Sequence, residues 1–122
     1  MFDHVVIGVS DYAASKAFYL QALAPLGVRV LAENALGLEM GNDGNASFCI
    51  SQSAEKPAHL HIAFVATTRE QVQDFHRAAL AAGATDNGGP GLRPQYSGTY
   101  YAAFVIGPDG HNIEAVCHDP QA

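Results

Sequence analysis

A chain of 122 residues has the length of one domain, and 48% hydrophobic with 15% charged residues excludes a disordered segment. The formal charge is −6 with only six Lys and Arg and no basic run, which argues against nucleic acid as a partner. No apolar run approaches the ~20 residues of a membrane span. The two cysteines, Cys49 and Cys117, have no framework spacing and read as free thiols in a reducing cytoplasm. Met1-Phe2-Asp3-His4 is already strand-like and has no charged-then-apolar leader, so the expectation is a soluble, cytoplasmic protein.

Residues 2–9 read as a buried strand rich in Val and Ile. Ser10 or Asp11 offers an oxygen to cap the helix that follows. That helix runs to about Leu23, with Ala14, Phe18 and Ala22 four apart on one face. Pro25 and Gly27 stop it. Three short strands are expected at residues 28–33, 36–41 and 46–51, the last two joined by the turn signal Asn42-Asp43-Gly44. Residues 53–58, polar and containing Pro57, form the natural linker.

The order then repeats. Residues 60–66 read as a strand, and Thr67-Thr68-Arg69-Glu70 holds a capping-box pattern in which Thr67 is answered by Glu70. Val72, Phe75 and Ala79 make a buried stripe at helical spacing, and Gly83 ends the helix. Residues 87–98, with four glycines and two prolines, read as a loop or irregular strand. A strand over 100–106, a turn at Pro108-Asp109-Gly110 and a last strand over 112–117 complete the chain.

The duplication is visible residue by residue. His4-Val5-Val6-Ile7-Gly8-Val9 matches His61-Ile62-Ala63-Phe64-Val65 at an offset of 57, and the same offset sets Phe18 on Phe75 and Leu23 on Leu80. The chain therefore reads as α+β: two βαβββ modules, about 1–55 and about 59–118, with a site built across a pseudo-twofold axis.

His4 and His61 each begin an apolar strand, and Glu114 lies in the middle of another, where a carboxylate is costly unless paired or bound to a cation. A lone strand histidine is more often a hydrogen-bonded core residue, and Glu114 alone could face solvent at a sheet edge. The equivalence of the two histidines under the repeat favours ligand roles instead. Two histidines and a carboxylate on separate strands suit a divalent metal that prefers nitrogen and oxygen, and as a facial triad they leave positions open for substrate. His59, His76, His111 and His118 read mostly as surface, with His111 nearest to a site rim.

With these pieces in hand the chain resembles the glyoxalase / bleomycin-resistance / dioxygenase superfamily, the vicinal oxygen chelate fold. The resemblance is carried by His4 to Asp11 with Phe18-Tyr19, by His61-Ile62-Ala63-Phe64, and by Gly107-Pro108-Asp109-Gly110-His111-Asn112-Ile113-Glu114. It implies mixed sheets that curl around a central site, with metal ligation there by His4, His61 and Glu114 and Zn, Ni, Mn or Fe as the ion. It also implies a homodimer in which a site often forms between modules of different chains. Glyoxalase I takes a fourth ligand and base, a glutamate, from the last strand of module one. Aligning the two turns puts Phe48 there, and a shift of one residue puts Cys49 there. Extradiol dioxygenases place a tyrosine ten residues before the glutamate, where this chain has Phe104. Phe48, Cys49 and Phe104 are thus expected to face substrate.

Tyr100 and Tyr101 are candidates for proton transfer near the metal, though one of them is expected only to pack the sheet. Arg93 could clamp a carboxylate or phosphate of the substrate. Three functions follow: a metal-dependent lyase or isomerase acting on a small substrate with vicinal oxygens, an Fe(II) extradiol-type dioxygenase, or a small-molecule binding (resistance) protein without turnover. In the first, the base would be a tyrosine, a metal-bound hydroxide or the substrate itself.

Overall fold

The computed structural model describes residues 2–55 and 59–120; part of the linker expected at 53–58 lies outside them. Strand β1 (Val5–Val9) leads into helix α1 (Tyr12–Leu23), then β2 (Arg29–Asn34), β3 (Gly37–Gly41) and β4 (Phe48–Gln52). The second half follows with β5 (His61–Val65), α2 (Arg69–Ala81), β6 (Thr85–Leu92), β7 (Tyr101–Ile106) and β8 (Asn112–Cys117). Each half makes one four-stranded mixed sheet, in the order β1-β4-β3-β2 and β5-β8-β7-β6. The outer pairs β1/β4 and β5/β8 are parallel and the rest antiparallel. No helix among the described residues is long and apolar enough to cross a membrane.

The helices start where short polar side chains satisfy free first-turn amides. Asp11 Oδ1 accepts from Ala14 N at 3.0 Å. At α2 the cap is Thr68 rather than Thr67: its hydroxyl accepts from Gln71 N at 3.0 Å. Gln71 Oε1 in turn accepts from the Thr67 amide at 2.7 Å, so glutamine and not Glu70 closes the reciprocal pair. Gly27 (φ 81°) and Gly83 (φ 103°) take the left-handed conformation just past the helical segments.

The stripe expected on α1 is rotated. Ala14 is exposed, and the buried face is Ser15, Phe18, Tyr19, Ala22 and Leu23. Tyr19 causes the rotation, because its ring sits edge-on between Phe18 (5.0 Å) and Phe48 (5.1 Å). Phe48 meets Phe64 of β5 at 5.1 Å in the same T-shaped manner, so four rings run from the first module into the second. On α2 the buried residues are Val72, Phe75 and Ala79, as the periodicity predicts. One face of each sheet is covered by helix; the opposite faces are left open. Residues 85–92 form a strand, an edge strand with two register irregularities that accommodate its glycines and Pro90.

One further contact ties the halves together. Asp109, in left-handed conformation (φ 62°) in the turn before β8, accepts from Ser10 Oγ at 2.6 Å and from Ser10 N at 3.2 Å. The end of β1 is thereby fixed to the β7–β8 turn.

Candidate metal centre

Glu114 lies on β8, an interior strand of the second sheet, and is 1% exposed. Strand alternation sends Ile113, Ala115 and Cys117 toward α2, all 0% exposed, and Glu114 to the open face. Removing a carboxylate from water costs several kcal/mol unless its oxygens find donors. Both do. His61 Nε2 lies 2.7 Å from Oε1, and the Tyr100 hydroxyl donates to Oε2. His61 itself is half-exposed, so the pair opens to solvent on the imidazole side.

Tyr100 is held by neighbouring rings, Tyr96 at 4.9 Å and His118 at 5.2 Å. Its phenol is pushed up to about 12, first by burial and then by the hydrogen bond and charge of Glu114. At neutral pH it keeps its proton and serves as a donor. Tyr101 faces the other way: its hydroxyl accepts from Gln73 Nε2 at 2.9 Å, and the Arg69 guanidinium lies over its ring. Of the two candidates for proton transfer, Tyr101 is the one that packs between sheet and helix. Phe104 sits opposite Glu114 on β7, with its ring 6.1 Å from that of His61. The Arg93 guanidinium lies 5.3 Å over Phe104 and donates to Gly89 O at 2.7 Å. A Cβ on Gly88 would come within 3.2 Å of Arg93 Nη2, so the glycine leaves room for that guanidinium.

His4 belongs to the other sheet. Its side chain is half-exposed, with Nδ1 at 2.6 Å from Asp3 Oδ1. It lines a cavity of about 230 Å³ on the open face of the first sheet, together with Val6, Leu36, Glu39 and Cys49. Cys49 is 9% exposed, and its thiol is pushed up by burial and by the charge of Glu39. Strand register decides which residue corresponds to Glu114. Val6 pairs with Cys49 and Ala63 with Glu114, so Cys49 rather than Phe48 is the equivalent. Phe48 is 5% exposed within the aromatic chain.

The histidine expected at a site rim is elsewhere. His111 is 0% exposed, contrary to a surface position, and its Nδ1 accepts from Leu60 N at 3.0 Å. Burial pushes its pKa down. His76 is engaged with Asp86 at 2.9 Å. Two further side chains lie near the candidate ligands. Asn112 shares the face of His61 and accepts from Asn87 Nδ2 at 3.3 Å. Glu39, flanked by the buried Leu38 and Met40, was signalled only by its polar place in an alternating strand.

The structure thus joins His61, Glu114, Tyr100, Phe104 and Arg93 on one open face, and His4 with Cys49 on another. Among the described residues of a single chain, no three His, Cys, Asp or Glu side chains converge to hold a metal ion. The donor chemistry nonetheless fits one. A buried carboxylate faces an imidazole nitrogen, and among the described residues no Lys or Arg pairs with that carboxylate.

The sequence model of the Glyoxalase/Bleomycin resistance protein/Dioxygenase superfamily matches residues 1–115. A solved glyoxalase/bleomycin resistance protein from Albidiferax ferrireducens T118 is 31% identical, with a TM-score of 0.82, over 98% of this chain and 99% of that one. A glyoxalase/bleomycin resistance protein/dioxygenase family enzyme from Burkholderia phytofirmans PsJN is 20% identical (TM-score 0.74; 96% and 98% covered). A glyoxalase-related enzyme from Fulvimarina pelagi is 17% identical (TM-score 0.74; 96% and 87% covered), and these two attest to the fold alone. The comparison with curated proteins gives no match. With nearly its whole length matched, the chain belongs to the glyoxalase/bleomycin resistance protein/dioxygenase superfamily.

Proposed function

We propose that two copies of this chain pair with the open face of one first sheet against the open face of the other's second sheet. His4 of one copy and His61 and Glu114 of the other would then hold one divalent metal. The protein would act as a lyase or isomerase on a small substrate that chelates through two adjacent oxygens. The observation that carries this reading is the His61–Glu114 pair, a 1% exposed carboxylate 2.7 Å from a half-exposed imidazole. Pairing is supported by Val6 (56% exposed) and Val65 (71% exposed), which share the faces of His4 and His61 and which a second copy would cover. Members of the superfamily commonly bind a divalent metal and are often dimeric.

When bound, such an ion polarises the chelating oxygens and stabilises charge that builds on one of them. The chain's own residues do the rest. Tyr100 donates to Glu114 and fixes its carboxylate plane. Arg93, stacked on Phe104, is placed to clamp a carboxylate or phosphate on the substrate. Phe104 and Val65 supply an apolar wall that keeps water from the reacting carbon.

A second reading, an Fe(II) dioxygenase acting on a catechol-like substrate, draws on one feature. Phe104 has no hydroxyl, but Tyr100 brings a phenol to the same carboxylate from the residue just before β7. Oxygen uptake with catechols separates the two.

The first test is metal content in untagged protein, for wild type and His61→Ala. The reading expects about one transition metal per chain in the wild type and its loss in the variant. Wild-type protein that is empty and also refuses added metal would sink both enzymatic readings and leave a small-molecule binding protein.

A further inference from the structure

We propose that Glu39 is the general base of this site, a role that rests on the metal-assisted lyase/isomerase reading above. The position is defined by the row of residues that crosses the first sheet. Val6 pairs with Cys49, Cys49 with Glu39, and Glu39 with Ala32. In the second sheet the corresponding row is Ala63, Glu114, Phe104 and Gly88. One irregularity corresponds as well: the register shifts between Val30 and Ala32 in β2, and between Asp86 and Gly88 in β6, whose second shift, between Gly88 and Gly91, has no counterpart in β2. Cys49 therefore takes the place of Glu114, and Glu39 the place of Phe104.

Each row thus carries one carboxylate, displaced between the modules by one strand, or about 5 Å. Glu39 lines the same cavity as His4 and Cys49. It is half-buried, and among the described residues its side chain has no hydrogen-bond or ion-pair partner. A carboxylate with free oxygens in the cavity that His4, the proposed ligand, also lines is equipped to take a proton. The other groups near the ligands are less suited. Tyr100 already donates to Glu114, Tyr101 faces α2, and Cys49 is almost covered.

The step is removal of a proton from the carbon that bears one of the two substrate oxygens and neighbours the carbonyl. The C–H bond breaks, its electron pair forms a carbon–carbon double bond, and the carbonyl pair moves onto oxygen. The proton rests on Glu39 as a neutral carboxylic acid. Its return to the neighbouring carbon, with the hydroxyl proton passing between the two oxygens, completes an isomerisation that needs no oxidant or co-reactant. The substrate class is an α-hydroxycarbonyl compound.

The test compares metal-loaded wild type, Glu39→Gln and Glu39→Asp. Three quantities are read: metal per chain, calorimetric binding of acetohydroxamate as a two-oxygen chelator, and exchange of the hydroxymethylene hydrogens of hydroxyacetone into D2O by NMR. Glu39→Gln should keep its metal and bind acetohydroxamate within about twofold of wild type, while exchange falls about 100-fold or more and Glu39→Asp retains part of it. Undiminished exchange in Glu39→Gln overturns the role, and loss of metal in that variant makes Glu39 a ligand rather than a base. Wild-type holoprotein that exchanges hydroxyacetone no faster than the free ion overturns the lyase/isomerase reading itself, and the role of Glu39 with it.

Discussion

Tyr100 and Glu114 are joined by a phenol-to-carboxylate hydrogen bond although Tyr100 sits just before β7, Glu114 lies on β8, and the two are fourteen positions apart. This bond and the His61 contact are what make a 1% exposed carboxylate tolerable in the middle of a strand. Hydrogen bonds to a charged, buried acceptor contribute about 1.5–3 kcal/mol. Tyr100→Phe should therefore lower stability by about that amount, read as a shift in the urea midpoint without a change in slope. Metal content should stay at the wild-type level, because the phenol is a partner of the ligand and not itself a donor to the ion. Loss of metal in Tyr100→Phe would instead show that carboxylate orientation decides binding.

His4, just before β1, and His61, on β5, belong to different modules, with no three-donor cluster among the described residues of one chain, and this makes the pairing proposal testable by mixing. His4→Ala and His61→Ala should each lose the metal site. A heterodimer formed from the two has one site missing both histidines and one site intact. Unfolding and refolding the two variants together should then recover up to about half of the metal binding expected per mixed dimer. Recovery of nothing from a mixture that has demonstrably exchanged subunits would mean that the ligands meet within one chain.

Much of this was legible in the residues. The repeat, both helices and the placing of Glu114 follow from periodicity and caps, because those are local properties. The identity of the residue opposite Glu114 was not local. The β3–β4 connection runs from Asn42 to Ser47 and the β7–β8 connection from Gly107 to His111, so the first is one residue longer. Aligning the two turns therefore slips the last strands by one position, and a slip of one moves a side chain to the opposite face. That is why Phe48 could be set against Glu114 when the ladder sets Cys49 there. The face of α1 was misphased for another reason. Ala14, Phe18 and Ala22, four apart, look like a packing stripe, but the large ring of Tyr19 turns Ala14 out to solvent and brings Ser15 and Leu23 into the buried face. Glu39 gave too weak a signal because a single acid in a short alternating strand normally faces water.

His111 illustrates the same limit and gives a pH prediction. A polar residue directly after Pro108-Asp109-Gly110 suggests exposure, yet the parallel β5/β8 pairing brings the Leu60 amide onto its Nδ1. That nitrogen must stay unprotonated to accept, and burial, the largest influence, pushes the imidazole below its ordinary 6.5. The folded state thus binds this proton less tightly than the unfolded chain does. Its contribution to stability is complete above about pH 6.5 and is lost progressively as the pH falls below that value. Urea midpoints of wild type measured from pH 8 to pH 5 should fall accordingly. His111→Asn, whose amide oxygen can still accept from Leu60 N, should be less stable at pH 8 because it fills the space poorly, but its decline toward pH 5 should be shallower. The comparison removes what the rest of the chain contributes equally to both proteins. Parallel declines in wild type and His111→Asn would show that acid sensitivity comes from another group.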